Sequence, residues 1–283
     1  MIKNHGIDWK KELAEQSDED WEFGAAFVPD KAQIPEAERV NYLPKGEVQR
    51  GIEDMMDCAT RGPNNKIEAK MNFLLRNGLL KPETVNWIRD FGYINNDNDF
   101  ESSDAFIAIL SGTTKTGNSL KAPLSAMENF GLIPKRMLPL EQWMTWDDYH
   151  NPNRITQAMK DLGQEFRKRI RINYQKVYEH EYRDLIKQDF LVVAGSAWPV
   201  PENGVYPRVE STPNHVWINF EGYWKAFDNY IDSFDGDFIK QLAPNYDFLD
   251  YGYRVTINEE KVIPAEYGCL KKLWISFRRH LGL

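Results

Sequence analysis

The chain holds two cysteines in 283 residues, and Cys58 is placed for nucleophilic chemistry. It precedes residues 64–80, whose apolar side chains recur at helical spacing up to the helix-ending pair Asn77-Gly78. A thiol near a helix N-terminus has its thiolate stabilised by unpaired backbone amides and by the helix dipole, which lowers its pKa. Two cysteines form no disulfide framework, so the fold must be stabilised by packing.

A thiolate nucleophile also needs a base and a group that orients the base. Of the five histidines, only His215 opens a predicted β-strand, 216–220. Asp228 comes 13 residues after His215, at the end of the predicted partner strand 224–227. A hairpin between these strands would place Asp228 beside His215, where its carboxylate can accept from the imidazole and fix its tautomer.

The order of the predicted elements favours an α+β fold with two lobes. Helices are predicted at 64–80, near 82–90, at 119–130 and, once or twice, within 153–187. Strands are predicted at 190–194, 216–220, 224–227 and 253–257. We therefore expect a helical lobe over about 46–187 and a β lobe over about 188–260.

Further motifs accompany these residues in a fixed order. The pair Ile67-Glu68 follows Cys58, and the segment 111–119 reads Ser-Gly-Thr-Thr-Lys-Thr-Gly-Asn-Ser. The strand motifs are Asn214-His215-Val216-Trp217, Phe227-Asp228-Asn229-Tyr230 and the closing strand at 251–257. In this order the motifs resemble those of the papain-like cysteine peptidases, over residues 40–258. The phrases at 103–108, 131–134 and 144–147 are most similar to phage-encoded members of that family.

The resemblance implies a two-lobed papain-like fold with an active-site cleft between the lobes and with peptide or protein substrates. It implies that Cys58 is the nucleophile, His215 the base, Asp228 the orienting carboxylate and Gln49 a donor to the oxyanion. No metal or other cofactor is expected. The acidic positions 235, 237, 247 and 250 match no compact ligand loop and indicate a solvated acidic face.

Local features around the thiol leave alternatives open. Asp57 would oppose thiolate formation unless its side chain points away from Cys58. Gly62 and Pro63 are poor interior helix residues, so they predict a helix that starts at Pro63 and leaves Cys58 on the preceding loop. In the family, by contrast, the nucleophile begins the helix. The alternative function is a catalytically degenerate, papain-like structural protein of a phage particle.

Composition and the chain ends indicate compartment and partners. The net charge of -8, from 35 basic and 43 acidic residues, argues against nucleic-acid binding. No stretch approaches the roughly 20 apolar residues of a membrane span, and no signal-type apolar segment opens the chain, so we expect the host cytoplasm or a phage virion as its location.

Residues 1–45 are predicted to form an extended arm. Residues 261–283, in which Cys269 is expected to be structural, are predicted to form a basic amphipathic helix that docks on its own domain or on a partner such as a virion protein. No membrane partner is expected, because one short helix on an acidic protein binds lipid poorly.

Overall fold

The computed structural model describes residues 6–15, 32–46, 48–196, 201–209, 211–222, 224–231 and 236–260. Its α-helices are α1 (Trp9–Glu15), α2 (Cys58–Arg76), α3 (Pro82–Asp90), α4 (Asp104–Leu110), α5 (Lys121–Phe130), α6 (Trp146–Tyr149), α7 (Gln157–Arg167) and α8 (Tyr182–Gln188). Its strands are β1 (Ile170–Tyr178), β2 (Leu191–Gly195), β3 (Val205–Tyr206), β4 (His215–Glu221), β5 (Lys225–Phe227), β6 (Ile239–Leu242) and β7 (Tyr251–Glu259). The predicted C-terminal helix, with Cys269, lies outside the described residues. No helix in the described ranges has the length and apolar character needed to cross a membrane.

The strands form one sheet in the order β1-β7-β2-β4-β5-β6-β3. The central pairs are antiparallel, and β3 runs parallel to β6 at the edge. Helices precede this sheet in the chain, and the two kinds of element pack on a shared apolar core. The predicted α+β class is therefore confirmed.

Strand β1 corrects the prediction that 153–187 is wholly helical. Helices α7 and α8 do occur there, but Ile170–Tyr178 is a strand that pairs along its whole length with β7. The apolar residues Ile170, Ile172 and Tyr174 alternate with polar residues, which is the period of a strand. The charged residues on either side obscure that alternation in the sequence.

Helix α2 begins at Cys58, so the predicted start at Pro63 is wrong. The backbone N–H groups of Thr60 and Arg61 donate to the Asp57 carbonyl at 2.8 and 3.0 Å and close the first turn. Every residue from 58 to 74 is buried, and this tertiary packing outweighs the low helix propensities of Gly and Pro. Gly62 has a packing role, because a Cβ placed there would lie 2.9 Å from the Val216 side chain on β4.

The described part of the N-terminal arm has more regular structure than predicted. It contains α1 and a 3-10 helix, Glu36–Tyr42. The buried Arg39 of that 3-10 helix donates to the backbone carbonyls of Lys187 and Phe220 at 2.8 and 3.0 Å. This side chain therefore fixes the end of the arm to α8 and β4.

Candidate active site

Cys58, His215 and Asp228 meet where α2 packs against β4. Cys58 is the first residue of α2, His215 is the first residue of β4, and Asp228 directly follows β5. The β4–β5 register pairs Ile218 with Phe227, which makes Asp228 a diagonal neighbour of His215. His215 Nε2 lies 2.6 Å from Asp228 Oδ1, and His215 and the Cys58 thiol are near enough for each to shift the pKa of the other. The fold therefore brings three of the four predicted site residues together, with a hydrogen bond between His215 and Asp228.

The charges of these buried groups are coupled. Burial alone would lower the pKa of His215, but the charge of Asp228 and the proximity of Cys58 raise it to about 10. Burial also raises the pKa of the Cys58 thiol, by more than the charge and hydrogen bond of His215 lower it. The charged forms of the imidazole and the thiol therefore stabilise one another, while burial opposes both charges.

The acid next to the thiol, Asp57, is engaged in a network of its own. Its carboxylate accepts from Arg61 Nε at 2.9 Å and from the Tyr149 hydroxyl at 2.7 Å. Arg61 also lies 3.1 Å from Asp104, and its side chain is fully buried. Because Arg61 compensates the charge of Asp57, this acid opposes thiolate formation less than its place in the sequence suggests.

Replacing Arg61 by methionine is expected to destabilise the fold by about 3–5 kcal/mol, because Asp57 and Asp104 would lose their buried cation. Urea unfolding of the two proteins measures this difference. The matched control is Lys187→Met, which breaks an exposed pair with Asp184 and should cost less than about 1 kcal/mol. Equal losses in the two variants would show that the buried network contributes little.

Gln49, the predicted oxyanion donor, is fully buried in the loop that leads to the nucleophile. Its backbone N–H donates at 3.2 Å to the carbonyl of Asn229, the residue after Asp228. Its side-chain amide donates to Asp54 Oδ1 at 3.0 Å, and the backbone N–H of Met56 donates to the same oxygen at 2.9 Å. Gln49 is therefore bonded to the segment after β5 through its backbone and to Asp54 through its side chain.

An N-terminal segment, residues 6–8, lies over the thiol. A Cβ placed on Gly6 would come within 2.9 Å of Cys58 Sγ and within 2.7 Å of the Met56 carbonyl oxygen. Gly6 has a φ of +125°, a conformation that residues with a side chain rarely adopt. Only 1% of the Cys58 surface is exposed. A substrate carbonyl therefore cannot reach the sulfur until residues 6–8 move.

Residues 6–8 are held by the glycine-containing segment 111–119. The backbone N–H of Asn118 donates to the Gly6 carbonyl at 2.8 Å, and the Asp8 N–H donates to the Asn118 carbonyl at 3.0 Å. These bonds make a parallel β-bridge centred on Ile7, whose side chain is buried. Segment 111–119 thus offers a backbone donor and acceptor to an extended chain lying in front of the thiol, a common way to bind peptides.

Helix α1 continues from this bridge and contacts both lobes. The Trp9 indole donates to the Pro213 carbonyl at 2.9 Å, two residues before His215. The buried Glu12 carboxylate accepts from the Leu120 backbone N–H at 2.6 Å and from the Tyr251 hydroxyl on β7. The cover over the thiol is therefore fixed by polar contacts on each side of the site.

Comparisons with known proteins support the fold. No protein-family model matches the sequence, and no curated protein matches it significantly. Among solved structures, one from a study of the mite allergens Blo t 1 and Der p 1 matches with a TM-score of 0.51 and 13% identity, over 89% of this chain and 78% of that one. The Amb a 11 cysteine protease of ragweed pollen, in its proform, gives 0.47 and 12% identity over 92% and 72% of the two chains. Xylellain, a cysteine protease from Xylella fastidiosa, gives 0.47 and 13% over 84% and 96%.

At these identities the likeness shows the fold alone. The chain has the fold of the papain-like cysteine proteases, which confirms the predicted fold. Cys58, His215 and Asp228 stand together within it, and their roles remain predictions. Neither Asp54 nor residues 6–8 lie at a diagnostic spacing from Cys58, so the sequence alone predicts no role for them at the site.

Proposed function

We propose that the protein is a cysteine peptidase that hydrolyses amide bonds of peptides or proteins. The observation that carries this proposal is the buried His215–Asp228 hydrogen bond beside Cys58, whose thiol and the imidazole shift the pKa of one another. Because Asp228 takes the Nε2 side of the imidazole, the ring exchanges a proton with the sulfur through Nδ1. A nucleophile, a base and a group that orients the base are the parts that thiol acyl transfer requires.

In the proposed reaction, the Cys58 thiolate attacks the substrate carbonyl carbon, and the carbonyl electrons move to the oxygen. The Gln49 amide and the Cys58 backbone N–H, at the first position of α2, stabilise this oxyanion. The His215 imidazolium gives its proton to the leaving amine as the C–N bond breaks, which leaves a thioester on Cys58. Water, deprotonated by His215, then cleaves the thioester and releases the acid product.

Turnover by this mechanism requires that residues 6–8 move away from the Cys58 side chain. Their departure opens the sulfur to the substrate carbonyl. It also removes the burial that raises the pKa of Cys58, while the charge of His215 remains to stabilise the thiolate. We infer that displacement of the cover both exposes the nucleophile and activates it.

Proteolysis measured before and after alkylation tests the proposal. An unfolded protein substrate is incubated with the enzyme, and new amino termini are counted. We expect cleavage that stops once iodoacetamide has modified Cys58. A Cys269→Ala chain is the matched control, because it keeps Cys58 as its only thiol. Cleavage that survives complete modification of Cys58 would rule out the proposed nucleophile.

We also propose, on sequence grounds, that the chain is phage-encoded and associates with a virion. The phrases at 103–108, 131–134 and 144–147 and the two terminal segments support this. One observation favours a purely structural particle protein as a second candidate, namely the 1% exposure of Cys58. Co-sedimentation with purified particles tests the association. Infectious particles assembled with Cys58→Ala chains would favour the structural function.

A further inference from the structure

The loop between Gln49 and the nucleophile closes on one carboxylate, that of Asp54. Arg50 and Asp54 form an antiparallel bridge, and the Met55 N–H donates to the Gln49 carbonyl at 3.1 Å. Asp54 Oδ1 accepts from the Gln49 amide at 3.0 Å and from the Met56 N–H at 2.9 Å. One oxygen therefore holds the two ends of the loop together.

The second oxygen of Asp54 reaches the opposite side of the site. Asp54 Oδ2 accepts from the hydroxyl of Tyr230, two residues after Asp228. The Tyr230 ring lies 5.1 Å from the His215 ring, centroid to centroid. Asp54 thus joins the loop that carries Gln49 to the strand end that carries the orienting carboxylate.

This arrangement fixes which end of the Gln49 amide faces Asp54. An ionised carboxylate only accepts hydrogen bonds, so it must face the NH2 end of the amide. One of the two amide N–H bonds is then directed to Asp54, which sets the direction of the other. We propose that Asp54 is a positioning residue for the proposed peptidase reaction, on which this inference rests. It holds the Gln49 amide as an oxyanion donor and couples it, through Tyr230, to the His215 side of the site.

The position of Asp54 also has an electrostatic consequence. Burial raises the pKa of Cys58 most, His215 from β4 lowers it, and the charge of Asp54 from the loop raises it. The charge of Asp57 is compensated by Arg61. Loss of the Asp54 charge can therefore be measured at the thiol, separately from loss of the hydrogen bond between Asp54 and Gln49.

Two substitutions separate the positioning of Gln49 from the effect of charge. Asp54→Ala is expected to lower kcat about 10- to 100-fold with little change in KM, since the oxyanion exists only in the transition state. Asp54→Asn is expected to recover most of that loss, because its carbonyl oxygen can still accept from Gln49 and Met56. Both variants should move the pH profile of Cys58 alkylation to lower pH. The matched control is Glu53→Gln, which removes a neighbouring charge that binds the Trp146 N–H, and it should change neither measurement.

A double-mutant cycle with Gln49→Ala decides whether Asp54 acts through Gln49. In a chain that already carries Gln49→Ala, Asp54→Ala should cost less than about 3-fold in kcat. The same large loss in both backgrounds, or an alkylation profile that neither substitution moves, would overturn the inference. If Asp54→Ala does not fold, Asp54→Ser takes its place in the same cycle, with the same expected and contradicting results. Absence of hydrolysis by the unaltered chain would refute the proposed function instead, and the alkylation profiles would still test Asp54.

Discussion

Cys58→Ala and His215→Ala, alone or combined, are expected to lower kcat/KM for peptide hydrolysis by about the same factor, on the order of 10⁴ to 10⁶. The two side chains act as one unit in the proposed reaction. Without the thiol there is no nucleophile, and without the imidazole the amine leaves unprotonated. Loss of the second residue should therefore add little to loss of the first, and steady-state kinetics on one peptide substrate measures all three variants.

Two matched controls accompany these variants. Cys269→Ala removes the other thiol, and His180→Ala removes an exposed imidazole in the turn that follows β1. Both are expected to keep kcat/KM within about 2-fold, because neither residue belongs to the proposed catalytic set. Losses that multiply in the double variant, or a His215→Ala chain within tenfold of the unaltered protein, would contradict the proposed roles.

Gly6→Ala is expected to activate the protein. The added Cβ would meet the Met56 carbonyl at 2.7 Å and Cys58 Sγ at 2.9 Å, on a backbone with φ of +125°. Strain of about 1–3 kcal/mol in the covered state would raise the fraction of uncovered molecules about 5- to 150-fold. We expect iodoacetamide modification of Cys58 and peptide hydrolysis to rise by a similar factor, and the alkylation profile to move to lower pH.

Gly78→Ala is the control for this prediction. Gly78 also has a positive φ, +63°, but nothing lies within 4 Å of a Cβ placed there. It should therefore destabilise the end of α2 without changing access to Cys58. A folded Gly6→Ala protein that is modified no faster than the unaltered chain would show that residues 6–8 do not limit access to the thiol.

The sequence predicts the contact between His215 and Asp228 more reliably than it predicts the start of the helix that carries Cys58. His215 and Asp228 lie at the ends of two neighbouring strands, and a hairpin is a local structure, so their contact follows from short-range pattern. The start of α2 does not follow in this way. Local propensity favours a start at Pro63, and the complete burial of residues 58–74 against distant elements decides otherwise.

The remaining features of the site depend on contacts between residues far apart in the chain. Asp57 accepts a hydrogen bond from Tyr149, 92 residues away, and Asp54 accepts one from Tyr230, 176 residues away. The cover depends on a bridge between Ile7 and Asn118. No spacing rule relates such residues, so their partners become evident only once the fold is assembled.

The most direct test of the central claim is to trap the covalent intermediate. The protein is mixed with a peptide ester substrate, quenched in acid within the first turnovers, digested and examined by mass spectrometry. We predict a thioester adduct, with the mass of the acyl part of the substrate, on the peptide that contains Cys58. Product formation without an adduct on Cys58, or with an adduct on another residue, would contradict the proposed mechanism.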